Sequence, residues 1–258
     1  MYPPTLQWYE RLYHRDQLRA GRYAALADAE GFLTICFALE ALGLRLLGKK
    51  KALKEYGQKL AELARDSVVL EELTKTEPAR FTSFEALFDL VRTARNDAMH
   101  SGVYARHATA AAIELCIGLE ESLMKQQQHP RQLVQDFMVK SPVIVEPWQP
   151  VAHARQLMLT HSFSYLPVLR PDGWQLISEA AMARYMRSNP SEWSRLLATS
   201  IEEACGGGLG LVAAPVANLD QDIDSLLREP DKGASPQFWL VLDGHARLCG
   251  VLSPFELM

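Results

Sequence analysis

The sequence contains few cysteines, and they are scattered. The four cysteines among its 258 residues lie far apart and form no C-x-x-C pair: Cys36, Cys116, Cys205 and Cys249. A zinc site or a disulfide framework is therefore not expected, and a reducing cytoplasm is the predicted compartment. No apolar run approaches the roughly 20 residues that a membrane helix needs, and the charged N-terminus does not resemble a signal peptide. The sequence thus predicts a cytoplasmic protein with no metal site and no membrane partner.

The sequence also lacks an excess of positive charge. Its formal net charge is −4, and residues 1–130 carry equal numbers of acidic and basic side chains. This balance argues against a protein that wraps nucleic acid with a wholly basic surface. One short basic cluster stands out: Arg45, Lys49, Lys50, Lys51 and Lys54. A solvated helix end and an RNA-contacting patch are both open interpretations of this cluster.

The first half of the chain has the apolar periodicity of helices. Apolar residues recur at three- and four-residue spacing from Arg15 to Leu47, which predicts one long or slightly broken helix. Gly48 is expected to end it, because glycine adopts the left-handed conformation common just after a helix. A second helix is predicted over residues 50–66.

Two further helices are predicted before the middle of the chain. Thr82 and Glu85 have the spacing of a capping box, which would open a helix that Gly102 ends. A last helix is predicted over residues 103–125. No convincing strand pattern interrupts residues 1–128, so this half is predicted to be an all-helical bundle.

The stretch "RNDAMH" places three chemically useful side chains near the end of the third of these helices. His100 can act as base or acid near neutral pH, because an unperturbed imidazole has a pKa of about 6.5. Arg95 stays charged and can bridge two phosphate oxygens, and Asn96 can donate to phosphate or fix the imidazole tautomer. Cleaving RNA without a metal needs such a base, an acid and a cation on the phosphate.

This stretch resembles the Arg-x4-His motif of the HEPN superfamily, a group of helical bundles. Arg95 is followed by a polar residue, Asn96, and His100 completes the motif between the penultimate and last predicted helices. The resemblance implies a metal-independent endoribonuclease that acts as a homodimer, with RNA as substrate and no cofactor for catalysis. It also implies a toxin or antiviral defence setting.

Spacing within the motif bears on that mechanism. Asn96 and His100 are four residues apart and share a helix face, whereas Arg95 lies about 140° around an ideal helix from His100. One chain also supplies one histidine for two proton transfers. A twofold dimer would supply two histidines and two arginines around one phosphate. The alternative is that Arg95 is solvated and that His100 only stabilises a helix C-terminus.

The pattern changes beyond the polar segment Gln126 to Gln132. "SPVIVEP", "SYLPVL" and "WQLIS" have the composition of strands, and "VAHARQLMLTH" and "EAAMARYMRS" that of helices. The same order recurs in "APVANL", a helix near Ile223, "FWLVLD" and "LCGVLS". Residues 133–258 are therefore predicted to form two β-α-β-β-α repeats, 133–190 and 200–258.

These repeats resemble a tandem pair of cystathionine-β-synthase (CBS) domains. "HSFSYLPVL" is similar to a strand motif of that family, and "GWQLISEAAM" and "DGHARLCGVLSPFEL" are similar to its closing element. The resemblance implies a regulatory module with an adenine nucleotide as its small-molecule ligand. In that closing element a Ser or Thr meets phosphate or ribose, and an acidic residue accepts from the ribose hydroxyls.

The resemblance places the ligand-binding residues unequally in the two repeats. The serine positions are Ser178 and Ser253, while the acidic position is Ala181 in the first repeat and Glu256 in the second. One usable cleft is therefore expected, around Ser253 and Glu256. A purely structural role for both clefts stays open.

Together these patterns predict a fold of the α plus α/β class, with a helical bundle followed by a two-repeat unit. The predicted function is a metal-independent endoribonuclease regulated by nucleotide binding. The alternative is a non-catalytic nucleotide sensor whose helical half serves dimerisation or partner docking. Ligand-dependent regulation would require the nucleotide to bind one arrangement of the protein better than another.

Overall fold

The structure is a computed structural model, which describes residues 5–28, 30–101, 106–125, 132–188, 190–228 and 238–257. Within these ranges the backbone alone is described at residues 98–101, 106 and 190. The chain divides into two compact units, residues 1–128 and 129–258. We call them the helical unit and the repeat unit.

The described residues of the helical unit form helices and loops only. Its elements are α1 (Trp8–Ala27), α2 (Gly31–Leu47), α3 (Leu53–Ala64), a π-helical turn (Val68–Glu72), α4 (Leu73–Thr76), α5 (Phe84–Ser101) and α6 (Arg106–Met124). Helix α1 packs against α2 and α6, and α5 packs against α6 and α3. The helical character predicted for the first half is confirmed.

One core fills the space between these helices. Its fully buried leucines come from four helices, α1, α2, α3 and α6: Leu18, Leu39, Leu42, Leu60, Leu115, Leu119 and Leu123. Removing each from water stabilises the fold by about 1.5–3 kcal/mol relative to an exposed side chain. This core fixes the helices that carry the candidate site.

The prediction of one long or slightly broken helix between Arg15 and Leu47 is wrong, because the chain turns back after Ala27 and forms two separate helices. Asp28 is extended (φ −151°, ψ 142°), and α2 begins at Gly31. A Cβ at Gly31 would lie 2.3 Å from the backbone of α1, so glycine permits this close packing. The end at Gly48 is confirmed, since Gly48 has φ 71° and its N–H donates to the carbonyl of Leu44.

The capping box predicted at Thr82 is also wrong. Helix α5 begins at Phe84, and the Oγ of Ser83 accepts from the N–H of Ala86 at 3.4 Å. Thr82 and Ser83 both have hydroxyls suited to a helix N-cap, and the chain uses the later one. The predicted last helix agrees with α6, which begins at Arg106.

The repeat unit alternates short strands and helices. Its elements are α7 (Val134–Phe137), β1 (Val139–Lys140), α8 (Val151–His161), β2 (Tyr165–Arg170), β3 (Gly173–Ser178), α9 (Glu179–Arg187), a 3₁₀ turn (Pro190–Glu192), α10 (Trp193–Ala198), α11 (Ile201–Gly206), β4 (Val212–Ala213), β5 (Val216–Asn218), α12 (Ile223–Leu227), β6 (Trp239–Leu242), β7 (Leu248–Leu252) and α13 (Pro254–Leu257). A helix–hairpin–helix order occurs in both halves of this unit.

Each half of the repeat unit donates a short strand to the other half's sheet. Strand β1 pairs antiparallel with β7 in a sheet of order β1-β7-β6-β5, and β4 pairs antiparallel with β3 in a sheet of order β2-β3-β4. The strand predicted at "SPVIVEP" (residues 141–147) is wrong, because β1 lies just before this segment and ends at Lys140. Only Val145 of that segment forms a bridge, with Val168.

Candidate functional site

Arg95, the cation predicted to contact phosphate, lies on α5 beside α2. Its Nη2 is 2.6 Å from Oε1 of Glu40, and the two side chains are 27% and 28% exposed. The guanidinium therefore makes an ion pair and still reaches solvent. The pairing of Glu40 with Arg95 could not be predicted from the sequence, because an apolar helix such as α2 gives no signal that its one central carboxylate has a partner on α5.

The other two motif residues follow Arg95 along the same helix. Asn96 is exposed, and the backbone of His100 belongs to α5 one turn beyond Asn96. The side chain of His100 lies outside the described part of the chain, so the predicted meeting of two histidines and two arginines in a twofold dimer stays a prediction.

Two buried cysteines belong to the core of the helical unit. Cys36 on α2 is 1% exposed, and burial raises the pKa of its thiol to about 12 although the charge of Arg95 opposes that shift. Cys116 on α6 is fully buried, and burial raises the pKa of its thiol well above the ordinary value. Both thiols are thus protonated near neutral pH and are not nucleophiles.

The basic cluster after α2 is partly neutralised. Arg45 forms a bidentate contact with Glu10 at 2.6 and 2.7 Å, and Lys51 lies 3.1 Å from Glu55. The remaining cluster members are exposed: Lys49, Lys50 and Lys54. This arrangement is that of a solvated helix end, and the RNA-contact interpretation stays a prediction.

In the repeat unit, Ser178 is the N-cap of α9. Its Oγ accepts from the N–H of Ala181 at 3.1 Å, and the residue is 9% exposed. The hydroxyl is therefore used within the protein, and a ligand would have to share or replace this contact. The first repeat offers no carboxylate at this place, because residue 181 is an alanine, and its methyl group is buried.

In the second repeat, Ser253 and Glu256 contact each other at the start of α13. Oε2 of Glu256 accepts from the N–H of Ser253 at 2.8 Å and from its hydroxyl at 2.5 Å. The contact with the Ser253 N–H is one half of a capping box, in which the side chain of the third helical residue accepts from the N-cap N–H. Both side chains are half-buried, and a ribose hydroxyl would compete with Ser253 for the carboxylate.

An aromatic pair joins the two repeats near these serines. The rings of Tyr165 and Phe238 stack with centroids 5.6 Å apart. Tyr165 is paired in register with Ser178. Phe238 directly precedes β6, whose first residue, Trp239, pairs with the residue before Ser253. The two rings thus occupy equivalent positions, which sequence analysis missed because strand register is needed to align them.

No group of three or more His, Cys, Asp or Glu side chains in the described ranges has the arrangement of a metal site. Among the described helices, none combines the length and apolar character that crossing a membrane requires.

Several solved structures similar to this chain are those of CBS-domain proteins. A CBS domain-containing protein from Bacillus anthracis is 21% identical, with a TM-score of 0.39 over 49% of this chain and 91% of its own. The CBS domain pair of MJ0100, solved with 5′-methylthioadenosine and S-adenosyl-L-methionine, is 18% identical, with a TM-score of 0.38 over 50% and 94%. CBSX2, solved with AMP, is 17% identical, with a TM-score of 0.38 over 48% and 92%. No protein-family model and no curated protein matches the sequence.

Proposed function

We propose that the repeat unit is a CBS-type module that binds one adenine nucleotide. The observation that supports this most directly is the equivalent placement of Ser178 and Ser253, each at a strand-to-helix junction. The stacked rings of Tyr165 and Phe238 join the repeats beside these junctions. Helix N-termini and serine hydroxyls suit a phosphate, and aromatic rings suit a base.

One cleft rather than two is expected to hold the nucleotide. Glu256 offers carboxylate oxygens for a ribose diol, whereas the buried methyl group of Ala181 offers none. Binding at Glu256 requires its contact with Ser253 to loosen or to be shared. Nucleotide affinity should therefore depend on Glu256 and be insensitive to acidic residues near Ser178.

Thermal unfolding with AMP, ADP and ATP tests this proposal. Glu256→Gln is the informative variant, because the glutamine oxygen can still accept from the N–H of Ser253 while the charge is lost. A nucleotide at about 100 times its Kd raises the stability of the wild type by about 2.7 kcal/mol, and this gain should fall in Glu256→Gln. Glu179→Gln, an exposed change in the first repeat, is the control. Equal stabilisation of all three proteins, or of none, contradicts the proposal.

For the helical unit we propose a metal-independent endoribonuclease that acts as a homodimer. The supporting observation is that Arg95 is fixed by Glu40 yet partly exposed, next to the exposed Asn96 and on the same helix as His100. A fixed guanidinium can stabilise charge on a phosphate without reorganising during the reaction.

The roles follow from the chemistry of each side chain. Arg95 would hold the scissile phosphate, Asn96 would donate to it, and the two His100 side chains of a dimer would serve as base and acid. The base removes the proton of the attacking ribose hydroxyl, and the acid donates a proton to the leaving oxygen. A nucleotide on the repeat unit would regulate this step only by favouring one arrangement of the two motifs.

Cleavage of labelled single-stranded RNA in the presence of EDTA tests the nuclease. Arg95→Ala and His100→Ala should each lower the cleavage rate by roughly a hundredfold or more, because each change removes a charge-stabilising or proton-transfer group. Arg92→Ala, one turn earlier on α5 and paired with Asp89, is the matched control and should retain activity. Cleavage that survives all three changes contradicts the proposal.

The alternative is a sensor whose helical unit docks a partner or dimerises without catalysis. Its specific support is the Arg95–Glu40 pair, which gives the guanidinium a structural partner that needs no phosphate. Nucleotide-dependent stabilisation together with no RNA cleavage by the wild type would favour this alternative.

A further inference from the structure

A cavity of about 340 Å³ lies within the repeat unit, between the hairpin ends of its two repeats. Its wall includes Leu169 and Trp174 from the β2–β3 hairpin and Leu248 from the β6–β7 hairpin. Leu169 and Trp174 are paired next to the hairpin turn, whereas Ser178 lies four residues farther along β3. At about 3.3 Å per residue this is about 13 Å from Trp174. In the second repeat, Ser253 of the proposed nucleotide cleft lies five residues, or about 16 Å, beyond Leu248, so the cavity is separate from that cleft.

Strained backbone lines this cavity. Ser141 (φ 55°) and Ala246 (φ 58°) have left-handed conformations, and both belong to its wall. Among the described residues other than glycine, only Ser162 shares this property, and it ends α8. A residue other than glycine rarely adopts this backbone conformation unless its surroundings impose it. Such residues concentrate where proteins bind ligands.

Two sets of hydrogen bonds impose the strain. The pairing of β1 with β7 ends beside Ser141, whose N–H donates to the carbonyl of Cys249 at 3.4 Å. In the β6–β7 turn, the N–H of Ala246 donates to the carbonyl of Asp243 at 2.9 Å. The cavity wall is therefore built by the strand exchange between the repeats and by a capped turn.

Arg247, whose side chain is 75% exposed and paired with Asp243, brings a cation to this apolar wall. Its Nε and Nη2 lie 2.9 and 2.8 Å from the same oxygen, Oδ2 of Asp243. Hydrogen bonds from the backbone and side chain of Arg247 lower the pKa of Asp243 to about 2, so the pair stays charged at ordinary pH. Both contacts use one edge of the guanidinium, and within the described residues Nη1 makes no ion pair. The Nη1 group of the guanidinium can therefore donate to one oxygen of an incoming carboxylate.

The rest of the wall favours a flat apolar ligand. Trp174 presents an indole, Ile144 and Leu248 present aliphatic surface, and the volume fits one or two fused rings. We propose that this cavity binds a small planar aromatic carboxylate, with its ring against Trp174 and its carboxylate at Arg247. This site is independent of the proposed nucleotide and RNA sites.

Isothermal titration calorimetry with naphthoate as the probe tests the proposal. The wild type should bind one naphthoate per chain, and uncharged naphthamide should bind roughly tenfold more weakly, because it lacks the charge-assisted contact. Trp174→Leu and Arg247→Gln should each weaken naphthoate binding by roughly tenfold, whereas Arg247→Lys, which keeps the charge and the contact with Asp243, should weaken it less. Circular dichroism of each variant checks that it is folded.

Matched controls come from the same unit. Trp148 is 73% exposed and the side chain of Arg228 is 81% exposed, and neither lines the cavity. Trp148→Leu and Arg228→Gln should leave the affinity unchanged. No saturable binding up to about 5 mM naphthoate would overturn the proposal, since this marks an affinity too weak for a built site. Equal affinity for the amide, or equal losses in the control variants, would also overturn it.

Discussion

Arg95 on α5 and Glu40 on α2 form an ion pair, with 2.6 Å between Nη2 and Oε1. The pair joins α2 and α5, and both side chains are about a quarter exposed. We expect a coupling energy of about 0.5–1 kcal/mol, at the upper end for pairs that water still reaches. Urea unfolding of Arg95→Met, Glu40→Gln and the double variant measures it. Strictly additive losses would show that the two charges do not interact.

Glu120 on α6 neutralises two arginines of α1. It accepts from Nε and Nη2 of Arg22 at 2.9 and 3.0 Å, and Nε of Arg19 lies 4.0 Å away. The Glu120 side chain is 11% exposed and the Arg22 side chain 18%, so Glu120→Ala removes the carboxylate from a largely buried group of charges. We expect a loss of about 3–5 kcal/mol in the free energy of unfolding.

Glu114 offers the control for this change, because it is exposed on the same helix. Glu114→Ala should change the free energy of unfolding by less than about 0.5 kcal/mol in the same urea titration. Similar losses in both variants would mean that helix propensity, and not the buried pair, causes the effect.

The sequence predicted best those elements whose limits are local. Helix α8 and strands β2 and β3 match their predicted segments, because periodicity, Gly173 and the adjacent turn residues define them without distant partners. Strand β1 was misplaced because its partner, β7, lies near the other end of the chain. A β-branched segment such as "SPVIVEP" has strand composition whether or not a partner is available.

The candidate site shows the same limit. The motifs in the sequence predict roles for Arg95 and Ser253, but the sequence gives no sign that Glu40 contacts Arg95 from another helix. The stack of Tyr165 on Phe238 depends on how two sheets meet, which is a property of packing. Residue types are visible in a sequence, whereas the pairing of side chains across elements depends on the assembled core.

His14 on α1 should make stability depend on pH. It is 6% exposed, its Nδ1 has no hydrogen-bond partner among the described residues, and burial lowers its pKa below the ordinary 6.5. The nearby charge of Arg45 lowers the pKa further, although Glu10 opposes it. The unfolded chain therefore takes up a proton more readily, and folding loses stability as the pH falls below 6.5.

Urea unfolding between about pH 7.5 and 5 measures this loss, which reaches 1.36 kcal/mol for each unit of pKa difference. In His14→Gln the slope in this range should be smaller, because the buried side chain no longer titrates. His245→Gln, an exposed change in the repeat unit, should keep the slope of the wild type. An unchanged slope in His14→Gln would assign the pH dependence to other groups.

The four cysteines should react with thiol reagents in two classes. Cys36 and Cys116 are buried in the helical unit, whereas Cys205 and Cys249 are partly exposed in the repeat unit. Burial raises the pKa of all four thiols, most strongly for Cys36 and Cys116, so the thiolate is scarce where access is also lowest. With Ellman's reagent at pH 8, Cys205 and Cys249 of the folded protein should react first. Each thiolate forms a mixed disulfide with the reagent and displaces one thionitrobenzoate from it. Full reaction of all four cysteines should follow only after unfolding in guanidinium. In Cys205→Ser the early phase should fall by half, while Cys36→Ser should leave it unchanged. An early phase that is lost in Cys36→Ser would mean that the core beneath Arg95 opens to solvent in the folded state.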